Sequence, residues 1–338
     1  MIDTGTHPSP MLFFEAANAY QRTAALRTGI ELGLFTAIGH EGSTAAEAAQ
    51  KCRAAERGVR ILSDYLTVAG FLTKQADRYR LTADSAMFLD QTSRAYLGGA
   101  LGFLNSATVM GAFEHLTDAV RKGGTALVGD GTVEDDHPVW VDFARGMMPL
   151  MLLPAQLMAK GVACDPVRPI RVLDIAAGHG IFGITLAQQN RNVEVVALDW
   201  PHVLQVAAEN AQRMGVGDRH SLLPGSAFTV EFGADYDLVL LTNFLHHFDI
   251  PTCEVLLKRV YAALGEGGRA VTLEFVVNED RVSPPETAPF SLVMLASTPS
   301  GDAYTFSEYA RMFENAGFTR SELHPLPPSP NQMILSYK

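Results

Sequence analysis

The segment VLDIAAGHGIFG, residues 172–183, carries Gly178, Gly180 and Gly183 at G-x-G-x-x-G spacing, with Asp174 four residues ahead of the first. Asp199 follows 25 residues after Asp174, the pair His246 and His247 lies in FLHHFD, and Glu274 stands 28 residues beyond His246. Glycines spaced in this way let a backbone approach a ligand at the start of a helix, as in dinucleotide sites. A pyrophosphate, however, is repelled by an acid so close to its loop. S-adenosylmethionine has no phosphate and carries an α-ammonium group that a carboxylate at a strand end attracts. Asp199 suits the ribose hydroxyls of either ligand class, so Asp174 makes the distinction. Gly183 is then expected to pack a helix against the sheet rather than to meet a phosphate.

These residues need elements to hold them, and the pattern from residue 166 supplies a doubly wound sheet. IRVLDIA, VEVVALDW, YDLVLLTNFLHHF and GGRAVTLEFVV read as strands, alternating with the helical segments IFGITLAQQN, VLQVAAENAQRM and TCEVLLKRVYAAL. RSELHPLP and NQMILSYK, joined by a proline-rich turn, read as an antiparallel hairpin at the sheet edge. Ligands of such sheets bind beyond the carboxyl ends of the strands. Asp174, Asp199, His246, His247 and Glu274 all fall there.

Upstream, residues 11–38 carry apolar positions at helical spacing that end near Gly33, and Thr44 with Glu47 forms a capping-box signature. ERGVRILSDYLTVAGFL reads as a second helix and YRLTADSAMFL as one arm of a wing, which together make a winged helix over residues 20–90. Its second helix mixes Arg57 and Arg60 with Glu56 and Asp64 and lacks the basic excess that phosphate contacts need. The net charge of −11 points the same way, so no nucleic-acid partner is expected. Residues 95–160 read as helices of a connecting layer rich in methionine, including Met147, Met148, Met151 and Met158; such residues serve either as core filler or as the apolar wall of a site. The implied domains are 1–95 (winged helix), 96–165 (connecting layer) and 166–338 (ligand-binding sheet).

With 47% apolar and 19% charged residues, the chain is globular rather than disordered. Cys52, Cys164 and Cys253 are scattered, with no metal-ligand spacing, so reduced thiols in the cytoplasm and no metal are expected. No apolar run reaches the roughly 18 residues of a membrane span, and no secretory signal is visible at the start.

Taken together, the chain resembles the small-molecule O-methyltransferases that include plant caffeate-type and bacterial polyketide and phenazine enzymes. VLDIAAGHG is similar to that family's D-x-G-x-G-x-G loop, with Ala176 at its first glycine; ALDWP to G-x-D-L-P; PGSAF to G-D-x-F; FLHHFD to L-H-D-W-x-D; and MLASTPSGDAYT to M-L-x-x-x-x-G-G-x-E-x-T. LGLFTAI, STAAEAA and YRLT resemble its winged-helix dimerisation domain. The resemblance implies an α/β class I methyltransferase sheet preceded by a mostly helical winged-helix domain, a homodimer, and a small-molecule acceptor. It implies His246 as general base with Glu274 as its acid partner, and a donor site formed by Asp174, Ala176, Gly178, Gly180, Asp199, Trp200, Gly225, Ser226, Phe228 and Asn243. The acceptor pocket is expected to draw on Phe143, Met147, Met148, Asn243, Phe290 and Met294. The chain departs from the pattern at Ala303, where the family often has a second acid, at Thr242 for a lysine, at Ser226 for an acid and at His247 for an aspartate.

The expected reaction is methyl transfer to a phenolic or enolic hydroxyl, yielding S-adenosylhomocysteine. Imidazole is largely neutral at pH 7 and can take the hydroxyl proton. Because adjacent side chains diverge, His246 rather than His247 is expected to face the ligand. The alternatives are a donor-binding decarboxylase, hydroxylase or pericyclase of the same architecture, an N- or C-methyltransferase, and a winged-helix transcription factor. Release of S-adenosylhomocysteine separates the first from a methyltransferase, and a salt-dependent shift of DNA would mark the last.

Overall fold

The computed structural model describes residues 8–162, 164–165 and 167–338. The chain divides into two compact units, one ending at Leu101 and the other beginning at Gly102.

In the first unit the helical pattern of residues 11–38 is cut into three helices, Met11–Ala17, Ala19–Glu31 and Leu34–Ile38. The second cut falls at Gly33, whose φ of 65° is the left-handed conformation that favours glycine. Strand β1 (Ser43–Thr44) leads into the helix Ala45–Cys52 through the expected capping box: Glu47 N–H donates to Thr44 Oγ1 at 3.2 Å and Thr44 N–H to Glu47 Oε2 at 2.8 Å. After the helix Glu56–Val68, β2 (Leu72–Gln75) and β3 (Arg78–Leu81) form the wing, in the sheet order β1-β3-β2. Leu34, Phe35, Ile38, Val59, Leu66, Leu72 and Tyr79 make the buried core beneath it. Asp64 accepts from Arg60 at 3.0 Å and from Lys74 at 2.6 Å, so these two cations of helix and wing are matched within the unit.

The second unit holds β4 (Ile170–Ile175), β5 (Val193–Asp199), β6 (His220–Pro224), β7 (Tyr236–Thr242), β8 (Leu264–Glu274), β9 (Arg320–Pro325) and β10 (Gln332–Tyr337). Their order is β6-β5-β4-β7-β8-β10-β9, parallel from β6 to β8, with β10 antiparallel to both β8 and β9. The hairpin is therefore present as expected, and β9 is its outer strand. Strand order reverses between β4 and β7, the switch point where such sheets open a crevice. The central strands are buried on both faces, as covered parallel strands must be. One face packs Leu173, Val239 and Leu241 against Leu256, Tyr309 and Phe313; the other packs Val172, Val195 and Leu240 against Met158 and Phe182.

Strand β6 was not foreseen. Of HSLLP only His220 is buried, so the segment lacks the apolar alternation that marks a strand, and its strand pairing is to β5. The strand expected to run through FLHHF ends instead at Thr242, and a 3₁₀ turn, Leu245–His247, carries both histidines. Met158 is fully buried core, with Met148 and Met151 packed against the same cluster.

Candidate active site

The loop after β4 curls through three left-handed residues: Ala176 at φ 54°, Gly178 at 57° and Gly180 at 72°. Three of its N–H groups are taken by side chains. Gly178 donates to Asp199 Oδ2 at 2.8 Å, Ile181 to His179 Nδ1 at 3.2 Å and Gly183 to Asp174 Oδ2 at 3.2 Å. These three donors are thereby withheld from a phosphate. At Gly183 a Cβ would lie 2.8 Å from Val195 and 2.9 Å from Asp174, which makes it the packing glycine that was expected.

Asp199 takes a second N–H, from Trp200 at 2.7 Å, and remains partly accessible at the end of β5. Burial raises its pKa to about 6, against the lowering effect of those two N–H groups. Asp174 differs from expectation. It is fully buried, turned under Gly183 rather than toward the crevice, and its Oδ1 is sealed without a partner. Its one hydrogen bond among the described residues is to the loop's own backbone. Asp199 at the crevice, with no lysine or arginine in residues 174–183, fits a phosphate-free ligand that offers hydroxyl donors.

Burial also raises the Asp174 pKa to about 7. The unfolded chain loses that proton near pH 4 and the folded chain only near 7, so in between the folded state binds more protons and stability falls as pH rises. Asp174→Asn keeps an oxygen for Gly183 but cannot ionise. Melting temperatures at pH 5 and pH 8 should show a smaller loss across this range in the variant than in the parent; equal losses would refute the assignment.

At the ends of β7 and β8 a second constellation forms. Glu274 is fully buried, with Oε1 accepting from the N–H groups of Phe244 and Leu245, both at 3.0 Å. Its Oε2 accepts from His246 Nδ1 at 2.5 Å. This bond fixes the tautomer, leaving the lone pair on Nε2, which has no partner among the described residues. Both histidines are buried, and their ring centroids lie only 4.3 Å apart, so the expected divergence of the pair is not seen.

The structure brings Phe290 edge-on to His246 at 4.8 Å, with Phe275 behind it at 4.3 Å. Phe143 joins Trp140 at 5.7 Å, Phe103 at 5.1 Å and the His179 ring at 6.0 Å. Met294 is buried and Met147 half-buried. Trp200 packs with Trp140 on Ala144, Val203 and Val206, whereas Phe228 lies edge-on to Phe248 at 5.0 Å. Gly225 N–H donates to the Asp199 carbonyl at 3.0 Å, and Ser226 Oγ accepts from Phe228 N–H at 3.3 Å. Asn243 is left-handed, with φ 54°; its Nδ2 points to Met151 Sδ at 3.8 Å and its Oδ1 accepts from Asn331 at 3.0 Å.

Trp140, His179, Phe103 and Asn331 were missed by the sequence reading. Trp140 had a signal, since it stands three residues before Phe143 on one helix, Val139–Val162. Asn331 had none, for it reaches Asn243 across 88 residues from the tip of the edge hairpin. Ala303, where a second acid was anticipated by resemblance, is fully buried, so Glu274 is the acid that bonds His246. Among the described residues no group of three His, Cys, Asp or Glu side chains could hold a metal ion, and no helix is long and apolar enough to cross a membrane.

Comparison with known proteins bears on this geometry. Residues 113–319 match the family model of an O-methyltransferase domain, and residues 14–91 that of an O-methyltransferase dimerisation domain. The chain is 30% identical to 3-hydroxy-5-methyl-1-naphthoate 3-O-methyltransferase of Streptomyces sahachiroi, over 93% of this chain and 92% of that one. It is 25% identical to the tetracenomycin polyketide synthesis 8-O-methyl transferase TcmO of Streptomyces glaucescens, over 89% of each. A crystal structure assigned as an O-methyltransferase, from Nostoc punctiforme, superposes with a TM-score of 0.95 at 54% identity, covering 98% of this chain and all of that one.

Proposed function

Because this chain belongs to the O-methyltransferase family, through its catalytic and its dimerisation domain alike, we propose that it methylates a ring hydroxyl of a fused aromatic, polyketide-type compound. The observation that carries this is the buried Glu274–His246 pair, Nδ1 to Oε2 at 2.5 Å, beside rings rather than cations. The relatives named for naphthoate and tetracenomycin substrates support the acceptor class. Both are O-methyltransferases, which favours oxygen over nitrogen or carbon and methyl transfer over the non-methylating alternatives. The protein works as a cytoplasmic homodimer: residues 1–95 dimerise, 96–165 wall the acceptor, and 166–338 hold the donor. The free cysteines Cys52, Cys164 and Cys253 accord with a reducing compartment.

S-adenosylmethionine supplies the methyl group as a sulfonium cation. Asp199 accepts from its ribose hydroxyls, and Ala176, Gly178 and Gly180 let the backbone approach. Trp200 and Phe228 border the adenine, with Gly225, Ser226 and Asn243 at its margins. Phe143, Met147, Met148, Phe290 and Met294 seat the acceptor ring, so that its hydroxyl meets His246 Nε2. His246 takes the hydroxyl proton, and Glu274 stabilises the imidazolium as it forms.

Titration calorimetry with S-adenosylhomocysteine, followed by a mass-spectrometric screen of hydroxynaphthalenes, tests the reading. Asp199→Ala should weaken binding of S-adenosylhomocysteine by roughly 10- to 100-fold, as expected for lost charged hydrogen bonds. Heat with a nicotinamide dinucleotide and none with S-adenosylhomocysteine would end the proposal.

A further inference from the structure

His247 has no part in the reading above, yet it is buried beside His246 and packed by rings. The Trp140 indole meets it edge-on, centroids 5.1 Å apart at 79°, and is itself fixed by Nε1–H donated to the Thr132 carbonyl at 2.8 Å. From another side Gly301 presses on the turn: a Cβ there would lie 2.3 Å from the His246 carbonyl oxygen and 2.9 Å from the His247 carbonyl carbon. His247 Nδ1 is sealed from solvent without a partner, whereas Nε2 is neither sealed nor bonded among the described residues. A buried lone pair lacking a donor is tolerated better than a buried N–H lacking an acceptor, which puts the proton on Nε2. Burial, with His246 beside it, holds the His247 pKa well below the ordinary histidine value, so the ring stays uncharged at neutral pH. His246 presents the opposite polarity, since its Nδ1–H is committed to Glu274 and its Nε2 offers a lone pair. Two rings 4.3 Å apart thus carry an open acceptor and an open donor.

Resting on the proposed function, we infer that His247 Nε2–H is a specificity-determining donor to a carbonyl oxygen next to the hydroxyl being methylated, which makes hydroxyaryl ketones the acceptor class. In such compounds the hydroxyl proton is tied up in an internal hydrogen bond to the carbonyl and is withheld from an outside base. When the carbonyl accepts from His247, the O–H is released to turn toward His246 Nε2. A neutral donor suits a neutral carbonyl, where a lysine or arginine would select a carboxylate.

The test compares 1-hydroxy-2-acetonaphthone, with adjacent oxygens, and 6-hydroxy-2-acetonaphthone, with remote ones, in the parent protein and in His247→Phe and His247→Gln. Methylated product is read by mass spectrometry and S-adenosylhomocysteine binding by calorimetry. The parent should favour the adjacent isomer in kcat/KM. His247→Phe, which keeps a ring but no N–H, should cost the adjacent isomer roughly tenfold and the remote isomer much less, and His247→Gln should recover part of that loss. Equal losses for the two isomers, a parent preference for the remote one, or turnover of neither while S-adenosylhomocysteine still binds each overturn the inference and leave the donor site standing. Absence of S-adenosylhomocysteine binding in the parent defeats the proposed function itself.

Discussion

His246→Ala should lower kcat by about 10² to 10⁴ while the affinity for S-adenosylhomocysteine stays within about threefold of the parent. The residue stands on the 3₁₀ turn after β7, apart from the loop that follows β4, so removing it takes away the base and spares the donor loop. The alanine also leaves Glu274 Oε2 buried without its partner, which destabilises the fold. His246→Asn separates the two effects: its side-chain N–H can still reach the carboxylate, but it has no basic nitrogen. The asparagine variant should therefore melt closer to the parent than the alanine variant and be just as slow. Parallel loss of turnover and donor affinity in both would make His246 a structural residue.

Glu274→Gln should be nearly as damaging to turnover, for a different reason. The amide oxygen can still accept from Phe244 and Leu245, so the turn remains in place. Its NH₂ then faces His246 Nδ1 and forces that nitrogen to accept, which moves the ring proton to Nε2 and takes away the lone pair that receives the hydroxyl proton. The same tautomer reversal, by aspartate-to-asparagine change in a serine protease triad, costs about 10⁴ in kcat, and a loss of about 10² to 10⁴ is expected here. Steady-state kinetics at pH 7 and 9, with melting temperature as a control on folding, decide the matter. An active, normally folded glutamine variant would exclude Glu274 as the group that sets the tautomer.

Several features of this molecule were written locally. The glycine spacing at 178, 180 and 183, the acid that closes β5, the Thr44–Glu47 capping box and the alternation of strand and helix are short-range patterns, visible without their distant partners. Such signals survive without knowledge of the rest of the chain, and so the sheet, its antiparallel hairpin and the 28-residue interval from His246 to Glu274 were legible. The interval alone, however, did not say that the glutamate would also hold two backbone N–H groups.

Tertiary structure decided where side chains point. Asp174 was read as facing the crevice, but packing of Gly183 on Val195 draws its carboxylate beneath the helix, where only a backbone N–H meets it. Divergence of adjacent side chains was sound for a strand; the pair instead lies on a 3₁₀ turn, squeezed between Trp140 and Gly301. Asn331 reaches Asn243 only because β10 enters the sheet beside β8. In each case the deciding contact comes from a segment distant in sequence. Composition and spacing carry the propensity of a segment to form an element, whereas the orientation of a buried polar group follows from the partners that the completed packing leaves within hydrogen-bond reach.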